Sequence, residues 1–353
     1  MHRQTGIKYE MKLLSSLVKV FQDETPVYRP ECQVLSALWG ETVSFQVAYT
    51  GDFFMRERLA VQVVSPIADH VCVRTVEQVP VGRATNGIVD DNYLKTTSGL
   101  YPDLLRDLKD GKAIVCSNQW RSLWVDVEVT EEIEAGEYEI EVQLVKEGKV
   151  VCSVVQKLTI YAVTLPKQTI MHTEWMHADC LADYYQVEVF SEEHWQILEN
   201  YFHEYVKRGC NMMLTPLFTS PLDTAVGLER TTTQLIEVEV KDGEYYFGFD
   251  KMKRWIDLCK KCGIEYFEMS HLFSQWGAKY APKVVAMVDG REEKIFGWHT
   301  PAVGEYTRFL ESFLPQLIAK LREWEIADVT YFHISDEPRE EDLESYKAAK
   351  ESL

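Results

Sequence analysis

Two adjacent acidic residues near the end of the chain, Asp336 and Glu337, stand directly before Pro338 and after a short apolar segment. Cleavage of a glycosidic bond needs an acid that protonates the leaving oxygen and a second group that stabilises the sugar cation, and retaining enzymes hold two carboxyls about 5–5.5 Å apart. Neighbouring strand residues face opposite ways, so this pair can serve one site only where a strand ends and turns. Pro338 fits that position because it ends the strand's hydrogen bonding and holds Glu337 extended.

The same pair also has a purely structural interpretation. Acidic side chains are favourable in the first turn of a helix, so Asp336 and Glu337 could cap a following helix without any catalysis. In the catalytic interpretation Glu337, with the longer reach, is the better acid. The choice depends on the elements that position the pair.

The charge of the chain limits its partners. Its 353 residues include 37 basic and 56 acidic ones, for a formal net charge of -19. This excess of negative charge opposes binding to nucleic-acid phosphates and anionic lipids, and it is compatible with a neutral, hydroxyl-rich substrate. Aromatic residues make up 12% of the chain, and their rings pack well against sugar faces. The predicted partner is a carbohydrate, with no nucleic acid and no membrane, and the oligomeric state stays open.

Residues 11–164 alternate apolar and polar side chains with a period of two. The alternation is clearest in three segments, 43–49, 123–129 and 138–144. Strands joined by short turns, without a strong helical period, indicate an antiparallel β-sandwich. Residues 86–112 contain several turn-forming glycines and a proline, and they predict a long loop with a short helical turn.

The period changes at Leu165-Pro166, where we place a boundary between a sandwich domain, 1–165, and a second domain, 166–353. Short apolar strands then alternate with helices, which is typical of parallel βα units. Four such strands are predicted, at 170–176, 211–217, 264–269 and 329–335. Asp242-Gly243 and Asp289-Gly290 predict hairpins inserted between them.

The second domain suggests a (β/α)8 TIM-type barrel, which places its chemistry at the carboxyl ends of its strands. The fourth predicted strand delivers Asp336 and Glu337 at that end. Only the stretch 339–353 follows Pro338, which is enough for one helix but not for four more strands. Because a barrel of four βα units would leave two sheet edges open, we expect a truncated barrel, or one completed by a partner or by chain beyond Leu353.

Several side chains near the ends of the predicted strands could bind a substrate. Trp175 and His177 follow the first strand, Trp276 and Trp298 lie in the long segment after the third, and His333 lies in the fourth. A substrate rim is expected at these places in a barrel. Each of the five could equally be a packed core or loop residue.

No cofactor or metal ion is predicted. Cys259 and Cys262 have the CxxC spacing, but zinc needs about four ligands and no second CxxC or histidine pair accompanies them. The histidines show no recognisable metal spacing, and the sequence has no glycine loop of the phosphate- or dinucleotide-binding type.

The segment 332–338, Phe-His-Ile-Ser-Asp-Glu-Pro, resembles the catalytic strand of glycoside hydrolase family 123, the β-N-acetylgalactosaminidases, and of the related DUF4091 domain. It is also similar to the Asp-Glu pair of the family 20 hexosaminidases. The resemblance extends to the architecture, since family 123 enzymes have a β-sandwich before the barrel and carry the pair at the end of the fourth strand.

The resemblance implies a role for each acid. Glu337 would be the general acid/base, and Asp336 would orient and stabilise the substrate's own acetamido group as it attacks the anomeric carbon. Configuration is then retained without a covalent glycosyl-enzyme. The implied activity is the release of terminal β-linked N-acetylgalactosamine. The chain differs from these enzymes in that no second half-barrel is predicted, so the activity of the chain alone is in question.

Two other functions are compatible with the sequence. The chain could be a non-catalytic carbohydrate-binding or assembly protein in which the acid pair is a relic. It could also be a conventional retaining glycosidase with a covalent nucleophile. Adjacent acids are awkward for that mechanism, because acid and nucleophile normally come from separate strands on opposite faces of the bond.

The sequence predicts no targeting or membrane-spanning segment. No stretch approaches the roughly 20 apolar residues that span a bilayer. Residues 11–21 are partly apolar, but no cleavage pattern of small residues follows them. We expect a cytoplasmic protein, or a secreted one from which a signal peptide has been removed.

Overall fold

The computed structural model describes residues 8–27, 34–52, 56–222 and 224–353. Contacts divide the chain into two compact units, Met1–Lys167 and Gln168–Leu353. In the described residues the first unit is built from strands, and the second combines several sheets with five α-helices. The protein is therefore a multidomain, strand-rich chain.

The first unit contains ten strands in its described residues. They are β1 (Tyr9–Ser15), β2 (Val34–Trp39), β3 (Thr42–Gly51), β4 (Glu57–Val64), β5 (Val71–Val81), β6 (Gly99–Asp107), β7 (Lys112–Val115), β8 (Arg121–Glu128), β9 (Gly136–Lys146) and β10 (Lys149–Thr164). They form two five-stranded sheets, ordered β1-β3-β8-β5-β6 and β2-β10-β9-β4-β7. Strands β2 and β10 pair in parallel, and the other neighbours are antiparallel.

One core is shared by the two sheets of the first unit. On strands β3 and β8, Phe45 stands opposite Val125 and Val47 opposite Leu123. All four side chains are buried, and they belong to the same apolar cluster as Ile140 of β9 in the other sheet. Because successive strand residues point to opposite faces, the period-two pattern gives each sheet one apolar face, and the two faces bury each other as a β-sandwich.

Strand β6 lies inside the segment 86–112, for which the sequence predicts a loop, and that prediction is wrong for Gly99–Asp107. β6 is an edge strand that pairs with β5, and the register shifts where Gln78 meets Pro102. A proline has no N–H to donate, so strands tolerate it at an edge, where one side carries no ladder. Glycine and proline usually mark turns. An edge strand that contains both, as β6 does, is therefore easily mistaken for a loop when only the sequence is read.

The second unit alternates helices and strands. Its helices are α1 (Ala178–Tyr185), α2 (Glu192–Lys207), α3 (Asp250–Cys262), α4 (Glu305–Glu323) and α5 (Leu343–Glu351). Its strands are β11 (Met212–Thr215), β12 (Glu237–Lys241), β13 (Glu244–Gly248), β14 (Tyr266–Met269), β15 (Val284–Val288), β16 (Arg291–Phe296) and β17 (Thr330–Phe332). Two sheets result, a parallel one ordered β11-β14-β17 and a second one ordered β13-β12-β15-β16.

The helices of the second unit bury one apolar stripe each. In α3 the buried side chains Met252, Trp255, Ile256 and Cys259 follow the three- and four-residue spacing of one helix face. The helix ends at Gly263, whose φ of 98° is the left-handed conformation that glycine adopts most easily. Within the described part of the chain, no helix is both long and apolar enough to cross a membrane.

The parallel sheet β11-β14-β17 follows the order of the chain, and a helix precedes each of its strands. Sequential parallel strands are the arrangement of a (β/α) barrel. The first predicted barrel strand, Ile170–Met176, is shorter than expected, because only Thr173 forms a parallel bridge, with Met212 of β11. An eight-stranded barrel, or one of four units, stays a prediction.

The two predicted hairpins of the second unit are confirmed. Asp242-Gly243 joins β12 to β13 and Asp289-Gly290 joins β15 to β16. All four turn residues have positive φ, as the tight two-residue turns of twisted hairpins require. The hairpins meet because β12 pairs in parallel with β15. The resulting sheet packs aromatic side chains such as Tyr245 against Phe309 of α4.

Candidate active site

The carboxyl ends of β11, β14 and β17 lie side by side. Thr215 of β11 stands opposite Met269 of β14, which in turn stands opposite Phe332 of β17. The chain continues past β14 into residues 270–277 and past β17 into residues 333–337, which include the acidic pair. Open parallel sheets and barrels bind ligands at this edge.

These two segments are tied together by hydrogen bonds. The Leu272 N–H donates to the carbonyl of His333 (3.4 Å), the Trp276 N–H to the carbonyl of Asp336 (3.0 Å), and the buried Ser335 hydroxyl to the carbonyl of Ser274 (2.8 Å). The first segment turns sharply at Trp276, Gly277 and Ala278, whose φ values are 56°, 101° and 54°. Gly277 is required there, because a Cβ atom would lie 2.4 Å from the Cβ of Asp342. The loop thus holds Trp276 beside the acidic pair.

Asp336 is half-buried and is held at two points by the same loop. Its carboxylate oxygen Oδ2 accepts a hydrogen bond from the Gln275 side-chain amide at 2.8 Å, and its carbonyl accepts the one from Trp276. A carboxylate fixed through one oxygen keeps its orientation and can offer the other oxygen to a ligand. The sequence does not point to Gln275, because a single amide in a loop carries no recognisable pattern.

Glu337 is exposed, and its φ is 44°. The prediction that Pro338 holds Glu337 extended is therefore wrong. A left-handed backbone at a residue other than glycine costs about 1–3 kcal/mol and is typical of functional sites. The ladder of β17 ends at Phe332, so the alternation that would place Asp336 and Glu337 on opposite faces no longer applies.

A buried carboxylate, Glu268 of β14, lies near the acidic pair. It was not predicted from the sequence. Its Oε2 accepts a hydrogen bond from Trp175 Nε1 at 3.0 Å, and its Oε1 lies 3.4 Å from His333 Nδ1. A buried charge is costly unless it is paired. Burial raises the pKa of Glu268, but the hydrogen bonds from His333 and Trp175 outweigh it and the pKa is lowered overall. An acidic residue in an otherwise apolar short strand is the signal that could have revealed it.

His271 packs against His333 with their ring centroids 4.3 Å apart and their planes tilted by 34°, and the ring of Trp175 meets His271 edge-on at 5.2 Å. His271 is only 1% exposed, and among the described residues neither of its ring nitrogens has a hydrogen-bond partner. Burial, followed by the charge of His333, lowers the pKa of His271 to about 4. The hydrogen bond to Glu268 raises the pKa of His333. Of the two rings, His333 therefore holds a proton more readily than His271 does.

Within the described ranges of the chain, two groups of side chains could hold a metal ion. One comprises Glu268, His271 and His333, and the other comprises His172, Glu174 and Cys210; in each group the ligand atoms lie within 4.8 Å of one another. Nitrogen and oxygen ligands of the first kind suit zinc and other transition metals. Each group joins two residues that are close in sequence to a third that is distant, His333 or Cys210, so spacing alone could not have pointed to either group.

Replacing His271 with phenylalanine is expected to flatten the acid dependence of stability. In the unfolded chain a histidine takes up a proton near pH 6.5, but folded His271 does so only near pH 4. Between these values the unfolded state binds more protons, so the free energy of unfolding falls as the pH falls, by up to roughly 3 kcal/mol. Urea unfolding at pH 7 and pH 4.5 measures this slope. The exposed His299→Phe should keep the wild-type slope, and an equally steep slope in His271→Phe would contradict the assignment.

The structure places the predicted substrate-binding residues in different surroundings. Trp175 and His333 meet around Glu268, as described above. His177 stands just before α1, and its charge contributes to lowering the pKa of His271. Trp276 is joined to the acidic pair through its backbone. Trp298 makes other contacts: its Nε1 donates to the Leu228 carbonyl at 2.8 Å and its ring meets Tyr280 at 5.9 Å.

A family-123 enzyme shares the fold of the whole chain. The structure of a family 123 glycoside hydrolase from Clostridium perfringens, described for glycolipid glycan hydrolysis, superposes with a TM-score of 0.70 at 15% sequence identity. The superposition covers 98% of this chain and 61% of that enzyme, so the chain spans about three fifths of the enzyme's length. At this identity the likeness establishes the fold.

Two further solved structures are only weakly similar. The N-terminal domain of PorA matches with a TM-score of 0.22 at 8% identity, over 44% of this chain and 99% of that one. A β-glucosidase from Listeria innocua matches with a TM-score of 0.20 at 9% identity, over 45% of this chain and 17% of the enzyme. Neither value bears on function, and no curated protein sequence matches the chain.

The sequence model of one family, described as "Glycoside hydrolase 123, catalytic domain", matches residues 175–353. The match runs from Trp175 to the last residue and takes in β11, β14 and β17, the loop that holds Asp336, and the acidic pair itself. Because this catalytic domain accounts for just over half of the chain, the chain belongs to glycoside hydrolase family 123.

Proposed function

We propose that the protein is a retaining exo-glycosidase that releases terminal β-linked N-acetylgalactosamine by substrate-assisted catalysis. The observation that carries the proposal is the placement of Asp336 and Glu337 beyond the end of β17, with Asp336 held by Gln275, inside the segment that matches the family's catalytic domain. Glycan headgroups of glycolipids enter as candidate substrates, because the Clostridium perfringens neighbour is described for glycolipid glycan hydrolysis.

Asp336 acts on the acetamido group of the substrate. As the acetamido oxygen attacks the anomeric carbon, positive charge develops on the amide, and a fixed carboxylate nearby stabilises it. The hydrogen bond from Gln275 and the backbone bond from Trp276 support this role, because they hold the carboxylate in one orientation before substrate arrives. Because the folded protein already orients the carboxylate, less entropy is lost in the transition state, and the barrier of the intramolecular attack is lower.

Glu337 transfers the proton. Its carboxyl group protonates the leaving glycosidic oxygen in the first step and removes a proton from water in the second, so one group serves as acid and then as base. Exposure of Glu337 and the left-handed turn in its backbone support this role, since the side chain is free of the strand ladder and accessible to substrate.

The remaining predicted contacts belong to sugar binding. We assign Trp175, His177, Trp276, Trp298 and His333 to the substrate-binding rim. The connection of Trp175 and His333 through Glu268 and the position of Trp276 next to Asp336 favour these three over Trp298, which contacts Leu228 and Tyr280 instead.

The domain assignment is part of the same proposal. Residues 1–165 form the sandwich domain, and residues 166–353 form the first four βα units of a (β/α)8 barrel. The division of contacts between Lys167 and Gln168 supports the boundary, and the chain-order sheet β11-β14-β17 supports the barrel.

Inhibition by a thiazoline mimic of the cyclised acetamido intermediate tests the mechanism. The wild-type chain should hydrolyse an aryl β-N-acetylgalactosaminide, and the thiazoline should compete with that substrate because it resembles the oxazoline formed by the acetamido group. A fluorinated sugar that traps covalent nucleophiles should have no lasting effect. Lasting inactivation by the fluorosugar without thiazoline inhibition would instead indicate a conventional retaining enzyme, and glycan binding without turnover would indicate a non-catalytic protein.

A further inference from the structure

Glu268 contacts two side chains near the acidic pair, and neither catalytic step described above requires its carboxylate. Its side chain is 9% exposed, and its two oxygens face different partners, the Trp175 indole and the His333 imidazole. A buried carboxylate with two donors is fixed in place, because moving it would leave a charge unpaired in the interior. Glu268 is therefore a rigid anchor for whatever it holds.

The group that Glu268 holds is partly exposed. The His333 side chain is 43% exposed; its Nδ1 faces Glu268, and one face of its ring is covered by His271. The ring of Trp175 also meets the His333 ring edge-to-face at 6.3 Å, and Nε2 lies on the ring edge that faces away from Glu268. His333 also lies three residues before Asp336, on the segment that the loop after β14 ties down.

We propose that Glu268 is a positioning residue that fixes the His333 ring, so that His333 Nε2 donates a hydrogen bond to an oxygen of the 2-acetamido sugar bound at Asp336 and Glu337. This inference rests on the proposed function. It assigns Glu268 a role that acts through His333, whereas His333 itself contacts the substrate.

Electrostatics around His333 support a donating Nε2. The titratable groups that face His333 are Glu268 from β14, His271 from the loop after β14, and Asp336 on its own segment. The hydrogen bond to Glu268 raises the pKa of His333, and the charge of Asp336 adds to this. His271 is neutral near pH 7, so no second positive charge opposes the proton on His333. A charged donor forms a stronger hydrogen bond to a neutral hydroxyl or carbonyl than a neutral one does.

A metal ion bound by Glu268, His271 and His333 is the competing interpretation. Both ring nitrogens of His271 are buried and lack a hydrogen-bond partner among the described residues, and a bound metal ion would give one of them a partner. It would leave the other without an acceptor, although metal-bound histidines normally donate from their second nitrogen. The direct approach of His333 to Glu268 and the indole bond to the same carboxylate favour the hydrogen-bonded arrangement.

The variant Glu268→Gln tests the proposal in two ways. It keeps an acceptor for Trp175 and removes the negative charge from His333. In a nitrogen-detected NMR titration the His333 pKa should fall by about 1–3 units, the effect of losing an adjacent opposite charge. On an aryl β-N-acetylgalactosaminide, kcat/KM at pH 7.5 should fall about 10- to 100-fold, with the decline at high pH beginning at a lower pH than in the wild type.

Three further variants keep the test specific. Because Glu268 acts through His333, the losses in kcat/KM of Glu268→Gln and His333→Gln should not add in the double variant. Glu268→Asp retains the charge and should recover part of the loss. Glu244→Gln, at an exposed position of β13, should change neither readout. If Glu268→Gln fails to fold, His333→Gln alone should still lower kcat/KM at pH 7.5 and change the shape of its high-pH decline.

The proposal and the function on which it rests can fail separately. Absence of hydrolysis by the wild type would overturn the function, and the NMR titration would still decide whether Glu268 controls His333. An unchanged His333 titration in Glu268→Gln, or additive losses in the double variant, would overturn the positioning role. One equivalent of a transition metal bound by the wild type and lost in Glu268→Gln would also overturn it in favour of a metal site.

Discussion

Glu337→Gln is expected to slow hydrolysis of a disaccharide that ends in β-linked N-acetylgalactosamine by about 10²–10⁴-fold. The amide cannot protonate the leaving oxygen, and a sugar leaving group depends on that proton. A 4-nitrophenyl leaving group departs without one, so the first step of its release should suffer much less. The measurement is kcat/KM on both substrates, which reports the first step alone, with the dissociation constant of the disaccharide from calorimetry, which should change little.

The dependence on the leaving group separates Glu337 from its neighbours. Asp336→Asn should slow both substrates alike, because stabilisation of the acetamido group precedes any choice of leaving group. Glu340→Gln, an exposed glutamate three residues further on, should match the wild type on both. Equal losses on the two substrates in Glu337→Gln would show that Glu337 is not the proton donor.

Asp179→Asn is expected to destabilise the second unit by about 3–5 kcal/mol. Asp179 of α1 makes a two-point ion pair with Arg230, with Nε to Oδ2 at 2.8 Å and Nη2 to Oδ1 at 3.1 Å. The two side chains are only 8% and 11% exposed. Loss of the Asp179 charge removes a buried negative partner of Arg230, which costs more than the pair itself contributes. Urea unfolding followed by tryptophan fluorescence measures the change.

The chain provides a matched control for this pair. Arg254 of α3 binds Glu192 of α2 through two bonds of 2.7 Å, but these side chains are 46% and 79% exposed. An exposed pair of the same geometry contributes little, because water solvates each charge once the partner is gone. Glu192→Gln should therefore have a small effect. Similar losses in Glu192→Gln and Asp179→Asn would contradict the importance of burial.

Short sequence patterns were sufficient to predict the core faces of the strands, the two hairpins and the acidic pair. The alternation at Phe45 and Val47 reports the core face of a strand, because the strand repeat of two is a property of the backbone. Asp242-Gly243 and Asp289-Gly290 specify their hairpins for a similar reason, since few residues adopt two successive positive φ values. The acidic pair before a proline, at the end of a predicted strand, needed no tertiary information to be noticed.

Only the tertiary structure decided what surrounds the pair. Glu268 and His333 are 65 residues apart and meet because β14 and β17 are neighbours in a parallel sheet, which no local pattern encodes. The left-handed backbone of Glu337 and the bond from Gln275 to Asp336 depend likewise on how the loop after β14 packs against the end of β17. Sequence periodicity reflects which face of an element is buried. It does not record which elements meet, and the candidate site is built where they do.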